Sequence, residues 1–341
     1  MNKNRMLINL QLMALNPNAT SDSGMTPEMK TYYDKELIRL ASPKLVHDQF
    51  AQTRDIPKGG GKTIEFRKFN PLPKALTPLT EGVTPNGLKA SVSYQTSEVS
   101  QYGSYLAYTD MLDLTAIDPT VLEFTKLNAD QAGRTLDTIT RDVVNAGTQV
   151  NYVGNRLSRS LLQSTDTLKP YDIEFAAALL KGANTPEVDG GGFVAICHPY
   201  VVFDLRTSQE FVEWHKYAAP EELFNGEVGR IGNVRIVEST EAKIWNDNTC
   251  PVISAAAGTV PAVYRSVFST LVVGANAYAT TKVTGGGLQQ IIKPIGSGDD
   301  PLNQRGTIGW KATKTAEILV DAYMVRIESA SAFSERVTSP N

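Results

Sequence analysis

Cysteine and histidine are scarce in this sequence, and its charge shows no basic surplus. Cys197 and Cys250 are the two cysteines among 341 residues, and His47, His198 and His215 the three histidines. Ligands so few and so scattered exclude a zinc site of recognisable spacing. One disulfide is possible in principle, but two reduced, buried thiols of a cytoplasmic protein are the expectation. Lys and Arg number 33 against 36 Asp and Glu, a formal net charge of −3. A dedicated nucleic-acid binder carries a basic surplus, because neutralising phosphates drives its affinity. Any contact with DNA is therefore expected to be weak and nonspecific. No apolar run approaches the roughly 20 residues of a membrane span, so no membrane partner is expected. Residues 6–15 are mildly apolar, but Asn9 and Gln11 break them and Asn16-Pro17 ends them. They do not read as a signal peptide.

What is present is an ordinary globular composition, 41% hydrophobic and 20% charged. The length suffices for a well-buried core in one elaborate domain or two smaller ones. Residues 1–24 are rich in Asn and small polar residues and read as an arm. Thr26, Pro27 and Glu28 form a helix start. Tyr33, Leu37, Leu40 and Leu45 then recur at helical spacing, with Pro43 ending or kinking the pattern.

From residue 57 to 103 the character changes. Ile64, Phe66 and Lys68 alternate with Thr63, Glu65 and Arg67, as in a strand. Pro71, Pro73, Pro78 and Pro85 punctuate a long tip, and residues 90–95 return as a second strand. Such a connection has little use in a compact monomer, and long loops without helices are usually functional or ordered by a partner. Lys62, Phe66, Arg67, Phe69, Leu72, Leu76 and Leu79 are the candidate contacts with a neighbouring subunit. The local basic charge of Lys62, Arg67, Lys68 and Lys74 is expected to face acidic patches there.

Asp118-Pro119 starts a long helix of about 28 residues, about 42 Å at 1.5 Å per residue. Val121, Leu122, Phe124, Ala132, Leu136, Ile139 and Val143 fall near one stripe. Lys126, Asp130, Arg134 and Asp137 are assigned to the opposite, polar face. A second helix is expected over residues 171–181, with Phe175, Ala178 and Leu179 on its core face. Residues 193–197 read as a buried strand ended by His198-Pro199, and residues 200–207 as a helix. Residues 226–232 read as a loop. Strands are expected over 233–238, 270–275, 288–293, 307–312 and 316–328.

Several chemical readings fail on spacing. Gly61-Lys62-Thr63 suggests a phosphate loop, but the required earlier glycine is Ile56, and a strand rather than a helix follows. Gly226, Gly229 and Gly232 precede a strand, which argues against a dinucleotide site. His198 lacks a nucleophile in an elbow motif, and reads as a structural histidine before a proline. His215 beside Trp214 reads as a surface or interface residue. The pairs Asp299-Asp300 and Glu221-Glu222 lack the regular spacing of a calcium loop. No catalytic residue, cofactor or metal site is assigned, and the chain is not expected to be an enzyme.

The order of elements resembles the major capsid fold of tailed phages and herpesviruses. Four runs are similar to the coat proteins of podophages of the N-four type and related temperate phages. They are Gly61-Lys62-Thr63-Ile64-Glu65-Phe66-Arg67 with Leu79-Thr80-Glu81-Gly82-Val83-Thr84-Pro85; Ile196-Cys197-His198-Pro199 with Asp204-Leu205; Gly229-Arg230-Ile231-Gly232; and Asp300-Pro301-Leu302-Asn303-Gln304-Arg305-Gly306-Thr307-Ile308-Gly309-Trp310-Lys311. The resemblance implies an α+β capsid subunit. Residues 1–56 would be an N-terminal arm and helix, and 57–103 an extended β-hairpin loop. Residues 104–168 and 288–341 would form a peripheral domain with a spine helix at about 118–146, and 169–287 an inserted axial domain. It implies hexamers and pentamers closing an icosahedral shell around double-stranded DNA in the virion, assembled in the host cytoplasm. Scaffold, portal and decoration proteins are the further partners implied. Some members of this lineage crosslink a loop lysine to an asparagine; none is expected of Lys58, Lys62, Lys68, Lys74 or Lys89. Two other readings stay open: an encapsulin-like bacterial compartment shell of the same fold, and a hydrolase with an α/β core.

Overall fold

The computed structural model describes Leu37, Ala41 and residues 45–55, 62–69, 72–79, 81–82, 84, 86–115, 120–188, 191–208, 227–254, 263–282, 287–296, 300–337 and 340–341. The expected N-terminal arm and the capped start of its helix lie outside these residues. Leu37 and Ala41 are helical and buried.

The first elements are β1 (Gln52–Arg54), β2 (Thr63–Phe69), β3 (Val92–Glu98), β4 (Ser100–Thr109), α1 (Asp110–Thr115) and α2 (Thr120–Val144). Next come β5 (Val150–Tyr152), α3 (Pro170–Gly182), β6 (Phe193–Cys197), α4 (Pro199–Thr207), β7 (Glu227–Ile231) and β8 (Val234–Glu238). The remainder are β9 (Ile244–Trp245), β10 (Val252–Ser254), β11 (Val263–Tyr264), β12 (Val267–Val273), β13 (Tyr278–Thr281), β14 (Leu288–Lys293), β15 (Arg305–Lys314), β16 (Ala316–Ile318) and β17 (Met324–Ser329). The chain divides into two compact units, one of Met1–Ser42, Tyr102–Ala132 and Leu288–Ala312, the other of Pro43–Gln101, Gly133–Gly287 and Thr313–Asn341.

The first unit is built on the sheet β14-β15-β4. Its strands come close because glycine replaces bulk. A Cβ on Gly103 would lie 2.6 Å from the Trp310 carbonyl oxygen, and one on Gly309 2.8 Å from Tyr105 Cβ. The first half of α2 joins this sheet through polar side chains spaced by three. Thr125 accepts from Gln290 Nε2 at 2.9 Å, Asn128 Nδ2 donates to the Ile308 carbonyl at 3.1 Å, and Gln131 accepts from Trp310 Nε1 at 3.1 Å. Leu122, expected on the apolar stripe, is 40% exposed.

The second unit is built on a mixed sheet ordered β5-β17-β12-β6-β8-β7, with β9 also pairing β12. Its central strands have no solvent face, so their sequences run apolar without alternation. Phe193, Ala195 and Cys197 point into one cluster with Ile173, Ala176, Leu180, Val201 and Leu205 of the helices. Val194 and Ile196 point into another, with Val144, Leu271, Val273 and Tyr278. The thiols of Cys197 and Cys250 are buried and free.

Several expectations are corrected here. The core face of α3 is Ile173, Ala176, Ala177 and Leu180, whereas Phe175 and Leu179 are 42% and 45% exposed. Asp137 is fully buried: its carboxylate accepts from the His47 backbone amide at 2.8 Å and meets His47 Nδ1 at 2.7 Å. Residues 227–231 form strand β7 against β8 rather than a loop. The single strand expected over 316–328 is two, β16 and β17, separated by a 3₁₀ turn at Asp321–Tyr323. The long helix is observed as Thr120–Val144; its expected cap at 118–119 lies outside the described residues.

Candidate interaction site

The hairpin of residues 63–98 is the candidate site. Strands β2 and β3 pair antiparallel, from Thr63 opposite Glu98 to Phe69 opposite Val92. Alternation gives β2 two faces. Ile64 and Phe66 face inward, 6% and 1% exposed, and pack with Ala279, Val99 and Leu319. Phe66 was expected to reach a neighbouring subunit; it belongs instead to the core of its own unit. Polar bonds reinforce this root. The Ser97 and Thr315 hydroxyls lie 2.6 Å apart, Gln95 Nε2 donates to Glu317 at 2.8 Å, and the Val99 amide donates to the Lys62 carbonyl at 2.7 Å.

Two of the basic residues are engaged locally. The Arg67 guanidinium lies 5.5 Å from the Tyr94 ring centroid and 3.8 Å from the Glu65 carboxylate. Lys68 Nζ lies 5.7 Å from the Tyr323 ring centroid. Lys62 and Lys74 are exposed. The side chain of Phe69 lies outside the described residues.

Beyond the root, the tip carries apolar side chains into solvent. Leu72 is 56% exposed, Leu76 82%, Leu79 77% and Leu88 60%. Gly82 holds a positive φ of 78°, the left-handed conformation that glycine adopts freely. Several large aliphatic side chains left bare on one loop mark a contact surface more strongly than scattered ones do.

The residues weighed for catalysis are placed as follows. A strand follows Lys62 directly, so no helix dipole addresses a phosphate there. Burial pushes the Cys197 thiol up to about 12, leaving no thiolate at neutral pH. His198 caps α4: its Nδ1 accepts the Tyr200 amide hydrogen at 3.2 Å, and burial lowers its pKa to about 4. Asp300 accepts from the amides of Leu302 at 3.3 Å and Gln304 at 2.9 Å, an ordinary turn. His215, Glu221, Glu222 and Asp299 lie outside the described residues. Among the described residues, no three His, Cys, Asp or Glu side chains are grouped to hold a metal.

One cluster went unread in the sequence. Lys314 Nζ donates to Asp48, which also accepts from the Thr140 hydroxyl at 2.6 Å. The Tyr278 hydroxyl donates to the His47 carbonyl. Burial lowers the pKa of Lys314, opposed by the Asp48 charge. This network joins residues 47–48, α2, β13 and β15 within the second unit. It is an internal tie.

No family model matches the sequence, and no curated protein sequence matches it. Solved structures share its fold. The capsid of Ralstonia phage GP4 is 15% identical with a TM-score of 0.60, covering 83% of this chain and 86% of that one. The capsid of cyanophage P-SCSP1u is 15% identical with a TM-score of 0.59, covering 84% and 89%. The capsid asymmetric unit of cyanophage Pam1 is 14% identical with a TM-score of 0.58, covering 86% and 92%. The chain thus has a mixed helix and sheet fold in common with phage capsid chains, over most of its length and theirs.

Proposed function

We propose that this chain is the major capsid protein of a tailed phage, a structural subunit that closes with its copies into an icosahedral shell around double-stranded DNA. The observation that carries the reading is the fold shared with phage capsid chains over more than four fifths of both partners. The hairpin accounts for the mechanism. Its root is bonded into its own unit, so its position is set, while Leu72, Leu76, Leu79 and Leu88 stay bare for a neighbour to cover. Lys62 and Lys74 orient that contact against acidic groups of the neighbour. Many modest contacts, repeated by symmetry, hold the lattice. On this reading residues 104–168 and 288–341 form the peripheral domain and 169–287 the axial domain. Scaffold, portal and decoration proteins are the further partners, and the mature location is the virion. The four sequence runs point to the N-four-type branch.

The test is microscopy of the purified chain, expressed alone and with its neighbouring phage genes. Closed shells of uniform diameter are expected. A chain that stays monomeric under both conditions overturns the reading. Particles filled with a cargo protein and no nucleic acid favour the compartment-shell alternative.

A further inference from the structure

One sheet face in the first unit is bare and carries charge of one sign. Strands β14, β15 and β4 contain Lys293, Arg305, Lys311 and Lys314 and not one Asp or Glu. In the whole chain the acids outnumber Lys and Arg by 36 to 33. Lys314 is buried and bonded to Asp48, whereas the other three cations are exposed. Register and alternation put those three on one side. Lys311 stands opposite Gln289 and Lys293 opposite Thr307, with Ile291 opposite Gly309 between them. Residues two apart on a strand share a face, so Arg305, Thr307, Gly309 and Lys311 line it along β15. The other side carries Leu288, Gln290, Ile308, Trp310 and Ala312, all buried.

The centre of the bare face is apolar. Ile291 is 42% exposed, and Tyr105 on the adjacent strand β4 is 71% exposed. A Cβ on Gly309 would lie 2.8 Å from that of Tyr105. Glycine there leaves a shallow groove, with Ile291 on one side and Tyr105 on the other. The nearest carboxylates in sequence are occupied with backbone. Asp110 accepts from the Met111 amide, and Asp300 from those of Leu302 and Gln304.

Charge and polarity decide which occupant fits. The first hairpin carries Lys62, Arg67, Lys68 and Lys74, so a neighbouring copy's hairpin would set like charges together here. Duplex DNA offers phosphates to the cations but nothing apolar to the groove. An apolar centre within a charged rim is the anatomy of a protein interface, where tyrosine is enriched.

We propose that the β14-β15-β4 face binds an acidic protein other than this chain. Its carboxylates meet Lys293, Arg305 and Lys311, and an apolar side chain fills the groove between Ile291 and Tyr105. This binding goes beyond the proposed shell function and does not depend on it.

Fluorescence anisotropy on the purified chain tests it, with a labelled random copolymer of glutamate and tyrosine as the probe. Saturable binding that weakens with salt is expected, tighter than that of poly-L-glutamate. Lys293→Glu with Lys311→Glu should keep its circular dichroism and bind the copolymer about tenfold more weakly. Lys293→Gln with Lys311→Gln should fall between. Tyr105→Ala should remove the copolymer's advantage over poly-L-glutamate. Lys62→Glu with Lys74→Glu, on the first hairpin, should bind as the unmodified chain does. Absence of binding, or binding that the face variants leave unchanged, overturns the proposal. A preference for duplex DNA that the same variants abolish makes the face a nucleic-acid surface and overturns it too. In assembled shells, Lys311→Cys should react with maleimide as readily as in the subunit, against a background of two buried native thiols. Protection on assembly means that a second copy covers the face, which also overturns the proposal. A chain that forms no shells fails the proposed function alone, because the anisotropy is read on the subunit.

Discussion

Lys314 and His198 show how single buried residues hold this fold. Lys314 is 0% exposed and depends on Asp48 for its counter-charge. Removing one partner of a buried pair strands the other. Lys314→Ala is therefore expected to destabilise the chain by about 3–5 kcal/mol in urea denaturation. Lys314→Met with Asp48→Leu removes both charges and should recover a large part of that loss. His198 carries a pH dependence. Its folded pKa is about 4 against an ordinary 6.5. Between those values the unfolded chain binds the extra proton, so stability falls as pH drops from about 6.5 to about 4, and this contribution is constant below that. Protonation also removes the Nδ1 acceptor that caps α4. His198→Asn keeps a capping acceptor and does not titrate. Its urea midpoint should change less than that of the unmodified chain between pH 7 and pH 4; equal slopes would contradict this role.

At the scale of elements, helix α3 offers a discriminating pair. Leu179 and Leu180 are neighbours in sequence on different faces. Leu180 is 0% exposed within the sheet-facing cluster, and Leu179 is 45% exposed. Leu180→Ala should cost about 2–5 kcal/mol, while Leu179→Ala in the isolated subunit should stay within about 0.5 kcal/mol. Equal effects would reverse the face assignment. Helix α2 has a corresponding test. Leu136 is 0% exposed, so Leu136→Ala should again cost about 2–5 kcal/mol. Thr138→Pro removes a mid-helix hydrogen bond and should cost about 3 kcal/mol or more.

At the scale of the whole molecule, the proposed function separates folding from assembly along the first hairpin. Phe66 lies in its root and Leu76 in its tip. Phe66→Ala should destabilise the subunit by about 3–5 kcal/mol. Replacing residues 72–88 with a Gly-Ser linker should leave circular dichroism and the thermal midpoint nearly unchanged and abolish closed shells. Unfolding of that variant would place the tip in the subunit's own core. Normal shells from it would remove the tip from assembly. The net charge of −3 bears on the proposed contact with DNA. Little counterion release is available, so gel-shift assays at physiological salt should show no tight, sequence-selective DNA complex.

The alternation of Ile64 and Phe66 was legible because a strand with one buried face repeats every two residues. The buried run of residues 193–197 and the long helix were legible for equally local reasons: a continuous apolar run in the one and a sustained helical period in the other. So was the failure of the phosphate-loop reading, which needs only spacing. Faces and partners were not legible. Both Phe175 with Leu179 and Ile173 with Leu180 make an apolar helical stripe, and only the packed sheet decides which is buried. Glycines at 229 and 232 suggested a loop, yet pairing with β8 made 227–231 a strand. Asp137 and Lys314 carry charge, which by itself argues for solvent. They are buried because partners distant in sequence, His47 and Asp48, satisfy them once the chain has folded. The sequence alone determined the periodic elements and the lack of catalytic spacing. Which side of each element is inside, and which polar groups can afford to be there, was decided by tertiary contact, because burial of a charge depends on a partner that local sequence does not contain.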